Sequence, residues 1–270
     1  MNFLNQPLDK VCIIGGSGFY DFLPAPKEVA IKTPFDKIPV QILEQIVDRR
    51  SVFFLPRHGG KHSIPPHKIN YKANIFALHK LGVRRVLSTN AVGSLNESMK
   101  PGDYVILDDF IDFAFPITFF EDGFEVSFNS GKTLSGVIHL DMSEPYCPEI
   151  RNSILKTIKN KNIHPTGSYA RTMGPRFETK AEILALKQWG AHVVGMTNPS
   201  EAILCRELGI CYATIAVVTN YAAGLQKELS HQEVLDIFNS RLKELKNLFF
   251  DVIKNLPVEQ GCNCAKHIKN

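Results

Sequence analysis

Six short runs of apolar residues, set between stretches of helical periodicity, constrain this chain more than any other feature. They are KVCIIGG (10–16), SVFFLP (51–56), RRVLST (84–89), DYVILDDF (103–110), AHVVGM (191–196) and CYATIAVV (211–218). Runs of this kind read as strands covered on both faces, which is the habit of a largely parallel sheet. Helices are expected near 70–81, 148–160, 180–189, 200–208 and 231–256. In the last of them Val234, Ile237, Phe238, Leu242, Leu245, Phe249, Val252 and Ile253 share one face. Strands alternating with helices give an α/β layered domain.

Three helix starts carry the spacing of a capping box: Thr179 to Glu182, Asn198 to Glu201 with Pro199 at the first helical position, and Ser230 to Glu233. Each would leave free N–H groups and the positive end of a dipole at a helix mouth. With 270 residues, 44% of them hydrophobic, the chain can bury a sizeable core as one domain spanning 1–270, its core at about 10–256 and a short tail at 257–270. The net charge of +4 is spread out, and KTIKNKN (156–162) looks like the polar exit of a helix, which argues against a nucleic-acid partner. MNFLNQPLDK lacks the pattern of a secretory signal, and no window approaches the roughly 18 apolar residues of a membrane span, so a cytoplasmic location is expected.

Of the six cysteines, Cys12 lies within an apolar strand and reads as a buried thiol. Cys262-Asn263-Cys264 is too tightly spaced for an independent zinc pair and has no second pair in the sequence, so no metal is expected. For Cys147, Cys205, Cys211 and the tail pair, disulfides stay open as an alternative, because intracellular proteins of hyperthermophiles do form them.

Polar residues gather at the ends of the predicted strands. Gly15-Gly16-Ser17-Gly18 follows the first strand and can aim N–H groups and a hydroxyl at an anion, although a plain tight turn would look the same. Arg57 and His58 follow the second strand, and an Arg fork suits phosphate oxygens. His62 and His67 are close by, with no acid or thiol to complete a ligand set, and solvated loop residues are the simpler reading for both. STNAVGSL (88–95) and GMTNPSEA (195–202) add small and hydroxyl residues at two more strand ends, and ATIAVVTNYAAG (213–224) delivers Asn220 at another. Several such loops with an Arg on one sheet edge are most economically read as a phosphate site. There is no G-x-S-x-G elbow and no H-E-x-x-H.

The segments IIGGSGFYD, LPRHGGKHSIPPHKINYKAN, NAVGSL, SMKPGDYVILDDFID, GPRFETKAE, GMTNPSEA and CYATIAVVTNYA, in order from about residue 10 to 255, resemble the purine nucleoside phosphorylases and their 5′-methylthioadenosine phosphorylase branch. The resemblance implies a three-layer αβα phosphorylase fold with a central mixed, largely parallel sheet, assembled as a homotrimer or a dimer of trimers. It implies attack of phosphate on C1′ of a purine nucleoside, giving free base and pentose 1-phosphate, with phosphate as co-substrate and no cofactor or metal. Matching positions put Ser17, Arg57, His58, Asn90, Ala91 and Thr197 on phosphate, Met196 under the sugar, Tyr221 and Ala222 beside the base reader Asn220, and His139 in a neighbouring subunit's pocket.

Four positions bear on substrate choice. Methylthioadenosine phosphorylases resemble TDYD where this chain has Thr219-Asn220-Tyr221-Ala222. An amide offers both an acceptor and a donor, so Asn220 can meet protonated N7 and O6 of hypoxanthine or guanine, and Ala222 removes a second acid. His231 in LSHQEV resembles the residue that meets the 5′-hydroxyl in 6-oxopurine enzymes, and Glu178 also resembles that branch. Met173 stands where both branches usually carry a Glu, which the 6-oxopurine enzymes use to accept from purine N1–H, leaving Glu178, a backbone carbonyl or water as the acceptor. The expected activity is phosphorolysis of inosine and guanosine. The alternatives are 5′-methylthioinosine or 5′-methylthioadenosine phosphorolysis and, from another class, a nucleotide-cofactor oxidoreductase, which lacks its glycine fingerprint.

Overall fold

The computed structural model describes residues 9–16, 19, 22–60, 63–159 and 162–269. In chain order its strands are β1 (Lys10–Gly15), β2 (Lys27–Thr33), β3 (Asp36–Val47), β4 (Arg50–Pro56), β5 (Arg85–Ser94), β6 (Tyr104–Ile106), β7 (Asp109–Asp112), β8 (Val126–Ser127), β9 (Thr133–Leu134), β10 (Ile163–His164), β11 (Ser168–Arg171), β12 (Val193–Gly195) and β13 (Cys211–Tyr221). The helices are α1 (Tyr71–Lys80), α2 (Pro148–Thr157), α3 (Lys180–Gln188), α4 (Asn198–Glu207), α5 (His231–Asn255) and the single turn α6 (Lys266–Lys269).

The main sheet runs β10-β6-β13-β5-β1-β4-β3-β2, and β12, β11 and β7 branch from the far end of β5. β13, β5, β1 and β4 are mutually parallel, so their C-terminal ends share one edge. β2, β3 and β4 form an antiparallel meander, and β6 and β12 also pair antiparallel with their neighbours β13 and β5. Alternation along β1 sends Cys12 and Ile14 into a core shared with α1 and α4, and Val11 and Ile13 into a core shared with α2 and α5. The result is the expected three-layer arrangement with a mixed, largely parallel sheet.

Departures from the sequence reading have local causes. The run DYVILDDF is two strands, because the Asp108 side chain accepts from Gly167 N at 2.9 Å and turns the chain from β6 toward β11. β2 and β3 went unforeseen because they are half-exposed and rich in Lys and Glu, so no continuous apolar run announces them. Their neighbour β4 is reached through Asp48 and Arg49, both at positive φ, a two-residue hairpin turn made without the usual Asn-Gly. The segment expected as a tail is tied down. Arg85 donates to Glu259 O at 3.1 Å and Gly261 N to Glu149 at 2.8 Å, and just ahead of the segment Arg50 donates to Leu256 O at 2.5 Å.

Candidate active site

β5 outruns its neighbour: pairing with β1 stops at Ser88, whereas pairing with β13 continues to Ser94. One edge of residues 89–92 is thereby left open, and a cavity of about 450 Å³ lies against it, at the C-terminal ends of the parallel strands. Thr89, Asn90 and Ala91 from β5, Gly16 after β1, and Arg57 and His58 after β4 form its floor and one wall. Met196 and Thr197 after β12, Asn220 and Ala222 from β13 and beyond, Glu178 before α3 and His231 at the start of α5 complete it. Ten residues expected in the site from the sequence therefore converge on this one cavity.

Arg57 is not the open fork that the sequence implied. Only 2% exposed, it gives Nε to Glu201 Oε1 at 2.5 Å and Nη2 to Glu201 Oε2 at 3.0 Å, with further bonds from Nη2 to Ser88 Oγ at 2.7 Å and from Nη1 to Thr89 O at 3.0 Å. A guanidinium buried this far needs a carboxylate beside it, since an unpaired buried charge is costly. Burial alone would pull the Arg57 pKa down, and the Glu201 carboxylate more than offsets that, holding it above its ordinary value and charged. Of its five N–H groups one, on Nη1, has no partner among the described residues. Nη1 sits beside Gly16, where an added Cβ would lie 3.8 Å away.

Glu201 was expected in a capping box with Asn198, and it does not serve there. The N-cap is Thr197, whose side chain makes no capping bond, and Glu201 turns inward to Arg57, Ser88 and Tyr212 instead. Burial, then the Glu201 charge, pushes the Tyr212 phenol well up, so it keeps its proton and donates it to Glu201 Oε2 at 2.7 Å. Asn198, fully buried, sits among Asn90 Oδ1 (3.0 Å), Tyr212 Oη (3.0 Å) and Thr214 Oγ1 (2.7 Å), and accepts from Tyr146. Asn90 in turn donates to Thr197 Oγ1 at 2.8 Å. One buried network thus fixes Arg57, Asn90 and Thr197 from behind. Sequence reading missed Glu201, Asn198 and Tyr212 because their partners lie on other strands.

Two further groups lie at the Arg57 end of the cavity. His58 Nδ1 lies 2.8 Å from Ile64 O and must carry a proton to bond it, which sets the tautomer. Thr89 Oγ1 is buried against the cavity wall with no hydrogen-bond partner among the described residues. That hydroxyl was not singled out by sequence, although STNAVGSL advertised it. Ser17 and His62 lie outside the described residues.

At the other end, β13 carries a bulge: Val218 pairs with Val92 and Asn220 with Gly93, leaving Thr219 as the extra residue. The bulge swings Asn220 into the cavity, and Gly93 makes room, since a Cβ there would stand 3.2 Å from Asn220 Nδ2. Thr219 Oγ1 lies 2.9 Å from Asn220 Oδ1, and Asn220 Nδ2 donates to Tyr221 O at 2.9 Å. The amide cannot flip without setting Oδ1 against the Tyr221 carbonyl. Among the described residues each end of the amide keeps one unused capacity, an acceptor on Oδ1 and a donor on Nδ2.

Tyr221, expected at the base, contributes its carbonyl only. It follows Asn220 on a strand, so its side chain points the other way, and its hydroxyl reaches Glu97 O at 3.4 Å. Glu178 lines the cavity with Oε1 accepting from Thr172 at 2.6 Å, while Met173 is 52% exposed and does not line it. Met196 packs under Gly174, whose positive φ and missing Cβ permit the approach. Ser230 caps α5 by accepting from Glu233 N at 3.1 Å, fixing His231 among Leu229, Val234 and Leu235. His139 is exposed and does not line this cavity.

A family model described as the phosphorylase superfamily matches residues 10–254. The chain is 48% identical to the 6-oxopurine nucleoside phosphorylase of Pyrococcus furiosus, over 97% of this chain and 98% of that one. It is 41% identical, over 97% and 98%, to the S-methyl-5′-thioadenosine phosphorylase of the same organism. Among solved structures it resembles methylthioadenosine phosphorylase from Schistosoma mansoni in complex with adenine, with a TM-score of 0.82 at 32% identity over 93% of each chain.

Proposed function

The chain belongs to the phosphorylase superfamily, and from that premise we propose that it is a purine nucleoside phosphorylase cleaving 6-oxopurine nucleosides, inosine and guanosine, to free base and ribose 1-phosphate. The observation that carries the base preference is the fixed Asn220 amide, presented by the β13 bulge with one acceptor and one donor to spare. A 6-oxopurine leaving group protonated at N7 offers a donor there and an acceptor at O6, and the amide meets both. A 6-aminopurine sets a donor against the Nδ2 donor, and Ala222 supplies no acid to receive it. Sites built on such pairing reject unmatched analogues by large factors.

In the reaction a phosphate oxygen forms a bond to C1′ while the C1′–N9 bond breaks, its electron pair leaving with the base, and the proton that N7 gains balances the one that hydrogen phosphate gives up. Arg57 Nη1, Thr89, Asn90 and Thr197 supply donors or hydroxyls around the anion, and Ser17 and His58 join them as the resemblance implies. Because the network behind them is already hydrogen-bonded, little reorganisation is needed as charge develops. Holding the phosphate below C1′ contributes further. In this reading Met196 packs beneath the sugar, and Glu178, which lines the cavity, takes the N1–H that the residue replaced by Met173 would otherwise accept.

The enzyme is read as a cytoplasmic homo-oligomer in which His139 completes a neighbour's pocket. Phe113, Phe115 and Val137 are 77%, 74% and 84% exposed, a large apolar load for a free surface. No helix of the described residues is long and apolar enough to cross a membrane.

A second reading, 5′-methylthioinosine phosphorolysis, is favoured by one feature. The wall around His231 is apolar, with Leu229, Val234, Leu235 and Phe238 beside it. Phosphate-dependent base release from inosine, guanosine, adenosine, methylthioinosine and methylthioadenosine, measured side by side, separates the readings. Preference for inosine and guanosine is expected; methylthioinosine outrunning inosine would transfer the assignment to the second reading, and methylthioadenosine outrunning both would remove Asn220 as the base reader.

A further inference from the structure

We propose that Cys147, Cys211, Cys262 and Cys264 form a structural metal centre for one zinc-class divalent ion. The four come from separate parts of the chain: the N-cap of α2, the first residue of β13 and the C-terminal segment. Their sulfurs all lie within 4.8 Å of one another, with Cys211 and Cys262 Sγ 3.2 Å apart. Sulfurs about 2.3 Å from a tetrahedral ion stand about 3.8 Å from each other, inside that range. A disulfide would bring one pair to about 2.0 Å and would not require four thiols to converge. All six cysteines are free, and no thiol pair here is bonded.

The sequence pointed away from metal because Cys262 and Cys264 lacked a second pair. The fold supplies it, from residues far away in the chain. Three of the four thiols are buried and Cys262 is half-buried, so the set is closed, as structural rather than catalytic sites are. The surroundings suit thiolates. Gln260 Nε2 lies 2.7 Å from Cys211 Sγ and 3.6 Å from Cys262 Sγ, while its Oε1 accepts from Arg84 at 3.1 Å, which aims the N–H groups at sulfur. Four sulfurs in this geometry select zinc or a similarly soft ion over magnesium or calcium, and its binding would displace the thiol protons to solvent.

Position gives the centre its task. Cys211 opens β13 nine residues before Asn220, about 30 Å away along an extended strand, so the ion would lie at the end of the sheet opposite the cavity. It would staple the C-terminal segment to α2 and β13, where the Glu149 carboxylate, accepting from Gly261 N, and the Arg85 guanidinium, donating to Glu259 O, already guide it.

The test is elemental analysis of the full-length protein purified under reductant, followed by exchange with Co(II). About one zinc per chain is expected, and cobalt should give tetrahedral thiolate charge-transfer absorption. Both signals should vanish in Cys262→Ser/Cys264→Ser, with a lowered thermal midpoint and unchanged turnover at moderate temperature. Should that variant fail to fold, Cys262→His keeps four ligands and is expected to retain the ion with an altered cobalt spectrum. The proposal is overturned if the reduced protein holds no zinc and takes up no cobalt, if the four sulfurs are paired as disulfides, or if the ion persists in the double serine variant.

Discussion

Arg57 and Asn220 face the same cavity from the ends of β4 and β13, and the protein holds them by opposite means. Arg57 spends all but one of its N–H groups on buried partners, and one of them, Glu201, is itself bonded to Tyr212 and, through it, to Asn198. Asn220 is held by one local device, a bulge, a neighbouring hydroxyl and a carbonyl, all within two residues of it along β13. The Arg57 half, proposed to hold the anion, is therefore a property of the whole sheet edge, and the Asn220 half, proposed to read the base, a property of one strand end. Substitution should damage the first broadly and retune the second.

The strongest break falls on the anion half. Arg57→Ala should lower kcat/KM for inosine by about 10²–10³-fold, read by steady-state kinetics at varied phosphate. That change also strands Glu201, so Arg57→Met paired with Glu201→Leu is the cleaner comparison: it should fold and still lose phosphate saturation, because swapping both partners for apolar groups is far gentler than removing one. Glu201→Ala alone should destabilise the fold by roughly 3–5 kcal/mol in a denaturant titration, since it leaves Arg57 charged and unpaired in the interior. If its stability is unchanged, Arg57 and Glu201 are not coupled as described.

Smaller effects sharpen the contrast. Thr89→Val should raise the KM for phosphate by about 5–10-fold with no loss of stability, because the hydroxyl has no partner to forfeit among the described residues. A structural hydroxyl would show the reverse, lower stability with phosphate affinity intact. His231→Ala should cost inosine about fivefold in kcat/KM and leave a 5′-methylthio nucleoside almost untouched. Equal losses on both would place His231 off the 5′ position.

What the sequence made legible follows the same division. Asn220 was readable because an apolar run ending in a lone amide is a local pattern, and Arg57, His58, Asn90 and Thr197 were readable as polar residues at strand ends. The bulge was not, since Thr219-Asn220 looks like any strand terminus until its register with Gly93 is known. Glu201 carried a misleading local signal, a capping-box spacing, that a buried guanidinium overrode. Asn198, fully buried, was read as a helix cap and proved to be the junction of a network. The strands β2 and β3 were invisible for a simpler reason: half-exposed strands need no apolar run. Cys147 and Cys211, placed beside the tail pair only by the fold, belong with the long-range features that no spacing announces.

The central claim is that a fixed amide at position 220 selects 6-oxopurines. Its most direct measurement is the ratio of kcat/KM for inosine to that for adenosine, in the parent and in Asn220→Asp/Ala222→Asp. The ratio should favour inosine strongly in the parent and fall by roughly 100-fold or more in the variant, as the carboxylates take up the 6-amino group and lose O6. A ratio that stays where it was, with both proteins folded and active, would contradict the account and move base recognition away from β13.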